Sequence, residues 1–303
     1  MMVRRKPFPG AWPRQGHMID AQVILNGVVL GAIYACLAVG FSLVWGVLNI
    51  INLMHGSLIV LGAYLAHMAF TQLGLHPLLS VPLVAAVMFV FGYLIQKLAL
   101  NRVTGRPVLV TLVLTFGLDL LLYNVMVLAF TATPRRILLD MGRVEFGDIV
   151  IPVDRLSAMF LALLLTASLY ALLRVSRLGR AIVAVRMDRD AATLMGIRVP
   201  HIYAITFGIG AAMAGAAGCL VAIVFPISPA LAQTFLGKAF VVCVLGGLGT
   251  VPGALAGGLA LGMIESLFGV WLGPQNAAII GFATLLLVLL LRPSGLAGRA
   301  GYE

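Results

Sequence analysis

Charged side chains are scarce in this sequence. Only 10% of its 303 residues are Asp, Glu, Lys or Arg, and 62% are hydrophobic, whereas about 25% of the residues of an ordinary soluble domain are charged. No water-soluble fold could bury so much apolar surface. The shortage of charge therefore excludes a soluble globular protein and predicts a protein that lies in a lipid bilayer.

Cysteine and catalytic motifs are also lacking. The three cysteines, Cys36, Cys219 and Cys243, lie in apolar segments without CxxC spacing, which excludes a disulfide framework and a zinc site. The sequence has no HExxH motif and no Ser/His/Asp set that would support an intramembrane enzyme. It has no Gly-x-x-x-x-Gly-Lys-Ser/Thr phosphate loop either. We therefore expect that this chain does not hydrolyse ATP itself and binds no cofactor.

Long apolar runs, in contrast, are abundant. Because these runs are almost uniformly apolar instead of alternating, they favour transmembrane helices over barrel strands. They occupy eight segments, at about 20–48, 53–73, 78–97, 108–130, 156–173, 202–225, 239–271 and 275–291. We predict an all-α polytopic membrane protein over residues 19–303, with about 8–10 transmembrane helices that include broken or re-entrant segments.

The basic residues indicate how the chain crosses the membrane. The net charge is +10, but Lys and Arg are spread between the apolar segments, so we expect no nucleic-acid partner. The positive-inside rule places the loop 174–201 in the cytoplasm. Residues 1–18 are basic and lack the apolar centre of a signal peptide, so we predict a disordered cytoplasmic extension there. The arginines of the loop are Arg174, Arg177, Arg180, Arg186, Arg189 and Arg198.

Two segments must fold back if both termini are cytoplasmic. A single crossing of segment 20–48 would put the basic N-terminus outside, so we predict that this segment crosses twice or contains a re-entrant half-helix. Segment 239–271 is predicted to fold back at its Gly- and Pro-rich run, because Gly and Pro interrupt a helix and free its backbone groups. Broken helices in both halves of the chain point to a transport pathway. To this pathway we assign Gly246, Gly247, Gly249 and Pro252.

A short helix is predicted inside the basic loop. Its sequence is DAATLMGI at 190–197, which begins with an acidic residue and ends at a glycine that can adopt the left-handed conformation. This run resembles the EAA loop of ABC importer permeases, with Asp190 in place of the usual Glu. A plain connecting helix would look similar. The resemblance implies a loop that docks onto an ATPase subunit, through Asp190, Ala191, Ala192, Leu194 and Gly196.

Further motifs extend the resemblance over residues 20–298. They are NGVVLGAIYA at 26–35, NIINLMHG at 49–56, VLGGLGTVPGA at 244–254 and RPSGL at 292–296, and they look like branched-chain amino acid permeases of the LivH type. The chain departs from that pattern at Leu53-Met54, where Phe-Ala is more usual, and at Asp119, where a neutral residue is more usual. These departures leave the substrate open among leucine, isoleucine, valine, other amino acids, amides and urea.

The resemblance also implies partners and a location. A second permease subunit, either LivM-like or another copy of this chain, would complete the pathway in the bacterial inner membrane. Two ABC ATPase subunits, which bind ATP and Mg, would lie beneath it, and a periplasmic substrate-binding protein would deliver the substrate. The open alternatives are a self-sufficient secondary transporter or channel for a small polar solute, and a membrane protein that transports nothing.

Polar residues inside the apolar segments complete the candidate pathway. Asn52, His55 and Gly56 lie where the chain is expected to re-enter the membrane. Asp119 and Glu265 are the two acids inside predicted spans, where an unpartnered charge costs at least about 2.5–3.5 kcal/mol. We assign Asp119 to the pathway, although each of these residues could instead satisfy hydrogen bonds of a neighbouring helix.

Overall fold

A computed structural model of the chain describes residues 16–137, 139, 141–146 and 149–291. These residues form an all-α architecture with one small antiparallel hairpin, which confirms the predicted fold class. The helices are α1 (Gly16–Leu48), α2 (His55–Leu73), α3 (Pro77–Leu98), α4 (Val108–Phe130), α5 (Val153–Val175), α6 (Arg177–Met187), α7 (Arg189–Leu194), α8 (Val199–Val224), α9 (Leu231–Gly246), α10 (Val251–Leu272) and α11 (Pro274–Leu291). The strands are β1 (Arg143–Phe146) and β2 (Ile149–Pro152), and a 3₁₀ turn covers Leu100–Arg102.

The long helices end at two opposite faces of the molecule. We call the face that carries α6 and α7 the loop face and the face that carries β1 and β2 the hairpin face. α1 begins at the hairpin face, where the Gln22 amide exchanges two 3.1 Å hydrogen bonds with the backbone of Val150. It ends at the loop face, where Leu48 lines a cavity together with Met187 and Tyr203. α1 therefore crosses from one face to the other once.

Nine apolar helices are present within the described residues. Seven of the helices are long and apolar enough to span a membrane, namely α1, α2, α3, α4, α5, α8 and α10. The shorter helices α9 and α11 are apolar as well, and α11 runs antiparallel to α10, with Gly281 beside Leu261 and Ala277 beside Gly269. These helices agree with the predicted polytopic membrane protein of about 8–10 transmembrane helices.

The prediction that segment 20–48 crosses twice is wrong, because α1 is one uninterrupted helix. Its glycines let other helices approach and do not break it. A Cβ atom added at Gly31 would lie 2.7 Å from the Cα of Leu259, and one at Gly40 would lie 2.7 Å from the carbonyl oxygen of Gly210. Small residues permit such close contacts between membrane helices, so packing accounts for these glycines.

The start of α1 lies at the hairpin face. The extension predicted over residues 1–18 is described only from Gly16 onward, and residues 16–18 belong to the helix; residues 1–15 lie outside the described residues. The Gln22 contact puts the start of α1 on the face opposite to the basic loop. The prediction that both chain ends lie in the cytoplasm stays a prediction, because residues 1–15 and 292–303 lie outside the described residues.

The fold-back predicted inside segment 239–271 is confirmed. α9 ends at Gly246 and α10 begins at Val251, so residues 247–250 form a break at the loop face. The two helices then pack closely, since a Cβ atom at Gly246 would overlap the carbonyl oxygen of Gly253. The break therefore lies inside the Gly- and Pro-rich run, as the sequence predicts.

α1 and α8 form the centre of the molecule. In each of them 89% of an apolar 18-residue stretch is buried, whereas the corresponding share in α3, α4, α5 and α10 is 28% or less. α8 carries glycines where it crosses its neighbours. A Cβ atom at Gly215 would lie against Met88 of α3, and a Cβ atom at Gly218 would overlap the Ile59 carbonyl oxygen of α2. The outer helices present apolar side chains outward, as expected where lipid is the surrounding solvent.

Candidate functional site

α2 begins inside the membrane and not at its surface. After α1 ends at Leu48, residues 49–54 turn back along it, and Asn49 has a positive φ of 52°. His55, the first residue of α2, places its Nε2 2.9 Å from the carbonyl oxygen of Leu37. Leu37 precedes the end of α1 by 11 residues, which corresponds to a depth of about 16 Å along the helix axis. Residues 49–54 are thus a re-entrant segment between two helices, tied to them at its ends, where Asn49 donates to the Trp45 carbonyl and Met54 accepts from the backbone of Leu58, each at 3.0 Å.

The re-entrant segment carries polar atoms that lack partners. A carbonyl oxygen can only accept, so His55 Nε2 donates to Leu37 and leaves Nδ1 as an acceptor. Within the described part of the chain, neither His55 Nδ1 nor Asn52 Oδ1 has a hydrogen-bond partner, and both residues are buried. A buried polar atom without a partner costs about 1–3 kcal/mol. The predicted pathway residues Asn52 and His55 therefore offer acceptors to a donor such as water or a substrate.

Asp119 lies close to this segment and is fully partnered. The Ser57 hydroxyl donates to its Oδ1 at 2.5 Å and the Gln233 amide donates to its Oδ2 at 3.0 Å. The carboxylate thus joins α4 to α2 and α9 and is only 2% exposed. Gly56 contributes to the same contact region, because a Cβ atom there would overlap the carbonyl oxygen of Ala232. The structure brings Asp119 and Gly56 close to the start of α2, and Asp119 satisfies polar groups of neighbouring helices there; its assignment to the pathway stays a prediction.

The glycine-rich break lies elsewhere. Gly249 packs against Gly46 of α1, where a Cβ atom at Gly46 would be 2.8 Å from the Cα of Gly249. Gly46 is nine residues from Leu37, which is about 13 Å along α1. The predicted pathway set therefore divides into an inner group around His55 and Asp119 and a loop-face group around the break. The loop-face group contains Gly246, Gly247, Gly249 and Pro252.

A buried ion pair joins α9 to α10, and sequence reasoning missed it. Lys238 Nζ lies 2.7 Å from Glu265 Oε2, and the Tyr34 hydroxyl donates to the same oxygen at 2.7 Å. The lysine nitrogen is also 2.6 Å from the Tyr34 oxygen and 4.3 Å from the centre of its ring. The sequence placed Lys238 just outside an apolar segment, whereas the residue lies in the middle of α9. The available signal was a lone lysine inside the mostly apolar run LAQTFLGKAFVVCVLG at 231–246.

The basic loop folds into two helices at the loop face. Asp188 caps α7, since its Oδ1 accepts from the backbone nitrogens of Asp190 and Ala191, each at 2.9 Å. The helix ends at Leu194, and Gly196, two residues later, has a φ of +82°, the left-handed conformation predicted there. Asp190 lies in the first turn, as predicted, but the cap itself is Asp188, which sequence reasoning did not select.

The surface of α7 is apolar at its far end. Leu194 is 88% exposed and Met195 is 83% exposed, and Met187 at the end of α6 is exposed as well. Ala192 is the member of the predicted docking set that is buried. These exposed side chains stand at the end of the molecule among arginines, so they face water and headgroups, where an unpartnered apolar patch indicates a binding surface.

Two cavities open between this loop and the membrane helices. One of about 370 Å³ is lined by the beginning of the re-entrant segment, including Asn49, together with Arg106, Thr111 and Tyr203. The other, of about 820 Å³, lies between α6 and residues 249–253 of the break. Both therefore lie next to segments in which the helical backbone is interrupted.

Comparison with known proteins identifies the family. Residues 23–291 match the family model described as branched-chain amino acid transport system / permease component. The chain belongs to this permease family. It is 34% identical over 297 residues to the high-affinity branched-chain amino acid transport system permease protein BraD of Pseudomonas aeruginosa, covering 93% of this chain and 97% of BraD.

Two Escherichia coli permeases show how far the similarity extends. This permease is 33% identical to LivH over 299 residues, covering 93% of this chain and 96% of LivH. It is 28% identical to LivM over 320 residues, covering 94% of this chain and 72% of LivM. No solved structure matches the chain. The matched region runs from the first turns of α1 to the end of α11, so it contains every helix of the candidate site.

Proposed function

We propose that this permease is the membrane subunit of an ATP-driven ABC importer, and that it carries branched-chain or related amino acids across the bacterial inner membrane. Family membership supports transport, and the exposed α6–α7 loop is the observation that supports ATP coupling. The sequence contains no phosphate-binding loop, so energy has to come from separate ATPase subunits. The chain itself acts as a permease and not as an enzyme.

The α7 helix has the properties of a docking element. Its N-terminus is capped by Asp188 and its C-terminus is closed by Gly196, so the helix holds its shape without a partner. Leu194 and Met195 project from it into the aqueous side. An apolar groove on an ATPase subunit would cover them, and the surrounding arginines suit acidic residues at the edge of such a groove.

Further partners follow from the two-sided arrangement. A second permease subunit, LivM-like or a second copy of this chain, is proposed to pair with it in the bilayer. A periplasmic binding protein is proposed to dock at the hairpin face, opposite to two ATPase subunits at the loop face. ATP and Mg would be held by the ATPases, and no cofactor is assigned to this chain.

The inner polar group suits the charged ends of an amino acid. A zwitterion has an ammonium group that needs acceptors, and Asn52 Oδ1 and His55 Nδ1 are buried acceptors that have no partner among the described residues. Backbone groups of the re-entrant segment and the carboxylate of Asp119 lie in the same region. The apolar walls of α1, α2 and α4 suit an aliphatic side chain. Leucine, isoleucine and valine are therefore the proposed substrates, with other amino acids, amides and urea as outcomes of the test.

Docking is tested by co-purification of the tagged permease with its ATPases. We expect Ala191→Arg and Gly196→Asp to abolish association while the permease still inserts into the membrane, because Ala191 is exposed on α7 and Gly196 closes it. Gly142→Asp is the matched control, since Gly142 also has a positive φ and open surroundings but lies before β1 at the hairpin face. Normal ATPase recovery with both loop variants would contradict the proposal.

Transport is tested with the complete complex in liposomes loaded with ATP. We expect uptake of labelled leucine that requires ATP, the ATPases and the binding protein. If the ATPases bind but leucine does not move, the architecture stands and the substrate is wrong. Uptake that persists without any ATPase and depends on Asp119 would instead identify a secondary transporter or channel.

A further inference from the structure

A single hydrogen bond connects the basic loop to the break between α9 and α10. Arg186, in the last turn of α6, donates from Nη1 to the carbonyl oxygen of Gly249 at 2.7 Å. Among the residues that the structure describes, no other hydrogen bond joins α6 or α7 to residues 247–250. This contact therefore links the segment proposed to bind the ATPase with a place where the membrane helices are interrupted.

Gly249 is held tightly on both sides. It has a φ of +81°, and a Cβ atom there would lie 3.1 Å from Arg186 Nη2 and 3.1 Å from the Cα of Gly46. The next residue, Thr250, caps α10 by accepting from the backbone nitrogen of Gly253 at 3.2 Å. Because the cap follows Gly249 directly, a displacement of Gly249 moves the start of α10.

Arg186 is also closely linked to α5 and α7. α6 packs on the end of α5 at Gly179, where a Cβ atom would overlap the carbonyl oxygen of Leu172. Asp188, which caps α7, comes two residues after Arg186. A movement of α7 therefore reaches the Arg186 side chain through only one intervening residue.

A cavity borders this contact on one side. It has a volume of about 820 Å³ and lies between α6 and the break, and its lining includes Ile182, Val183, Arg186 and residues 249–253. The Arg186 guanidinium therefore joins α6 to the break at the edge of a space that side chains do not fill.

We propose that Arg186 is a positioning residue that transmits movement of α7 to the break at 247–250 and, through Thr250, to α10. The inference rests on the proposed function, because the ATPase subunits supply the movement of α7. A guanidinium suits the task, since it holds its charge at all relevant pH values and donates to a carbonyl in a charge-assisted hydrogen bond. Residues 247–250 thereby couple ATP hydrolysis to the opening of the pathway.

The experiment measures uptake and ATP hydrolysis together in the reconstituted complex with binding protein and leucine. The variants are Arg186→Gln, which removes the charge and the guanidinium fork, and Arg186→Lys, which keeps the charge on a single nitrogen. Arg180→Gln is the matched control, because Arg180 lies on the same helix and lines the same cavity but donates to the Val175 carbonyl at 3.0 Å and, within the described residues, has no hydrogen bond to the break. Co-purification of the ATPases is recorded for each variant.

The ratio of leucine molecules carried to ATP molecules hydrolysed distinguishes a loss of coupling from a loss of stability. We expect Arg186→Gln to bind the ATPases and to lower this ratio by about tenfold, within the range that allosteric coupling usually covers. Arg186→Lys should give an intermediate ratio, and Arg180→Gln the wild-type ratio. If Arg186→Gln fails to assemble, the ratio of Arg186→Lys decides, and a wild-type value there overturns the inference.

Two results with Arg186→Gln would overturn the inference while leaving the importer intact. One is a wild-type ratio at wild-type rates. The other is a parallel fall in uptake and hydrolysis at an unchanged ratio, which is the signature of a structural contact. A wild-type permease that binds no ATPase would instead refute the proposed function itself, so the two failures are distinguishable.

Discussion

Removal of one partner of the buried Lys238–Glu265 pair should destabilise the permease more than removal of both. Lys238→Met leaves the Glu265 carboxylate with only the Tyr34 hydroxyl, and Glu265→Leu leaves the Lys238 ammonium without a counter-charge. The two side chains are only 13% and 10% exposed, so water cannot replace the lost partner. The double variant Lys238→Met/Glu265→Leu removes both charges together.

The magnitudes follow from the contacts. Breaking a buried ion pair costs about 3–5 kcal/mol, because an uncompensated charge remains. The double variant leaves only the Tyr34 hydroxyl without its partners, which costs about 1–3 kcal/mol. We therefore expect a coupling free energy of about 3 kcal/mol or more between the two positions in a double-mutant cycle. Addition of Tyr34→Phe to the double variant should recover much of the remaining loss.

Thermal unfolding of the detergent-purified permease measures this difference. At about 2–4 °C per kcal/mol, each single variant should lower the melting temperature by roughly 6–20 °C and the double variant by less. The control is the hairpin pair Arg143–Glu145, which has a 2.8 Å contact but side chains that are 71% and 53% exposed. Arg143→Met should cost less than about 1 kcal/mol. Single and double variants with equal melting temperatures would refute the reasoning.

Three other changes test the packing, the cap and the polar cluster. Gly62→Leu should abolish stable folding, since even a Cβ atom there would overlap the backbone of α8. Gly117→Ala on α4 is the control, because a Cβ atom there meets nothing within 4 Å. Fluorescence-detected size-exclusion chromatography distinguishes a monodisperse peak from aggregate. Asp188→Ala should cost about 1 kcal/mol and weaken ATPase recovery, and unchanged recovery in a quantitative pull-down would contradict a role for the capped helix. Asp119→Leu should cost about 1–3 kcal/mol, because it leaves the Ser57 hydroxyl unpartnered. Asp119→Asn can still accept from that hydroxyl and should have a melting temperature closer to that of the wild type. The opposite order of melting temperatures in a thermal unfolding assay would refute this account.

Features that depend on nearby residues were predictable from the sequence. Apolar runs of membrane-spanning length identify an all-α membrane protein because the bilayer imposes helix formation on any such segment. The run at 246–253 breaks a helix because Gly and Pro act on their own turn. Gly196 ends α7 for the same local reason, since it can adopt a positive φ that other residues avoid. The resemblance to LivH-type permeases rests on such local motifs, and the comparisons confirm it.

Other features depend on which helices contact each other, and these contacts could not be predicted from the sequence. The glycines of α1 look like breaks until α8 and α10 are seen against them. Asp119 was recognised as unusual, but its partner Gln233 lies 114 residues away. Lys238 was overlooked because its counter-charge is 27 residues further along the chain.

The sequence by itself determined the environment, the helical class, the break after Gly246 and the end of α7 before Gly196, because each of these follows from the interaction of a short segment with lipid or with its own backbone. Only the tertiary structure decided that α1 crosses once, that α2 starts about 16 Å deep, and that Arg186 touches Gly249. Such contacts join residues far apart in the chain, and their geometry arises when small side chains let helix backbones approach.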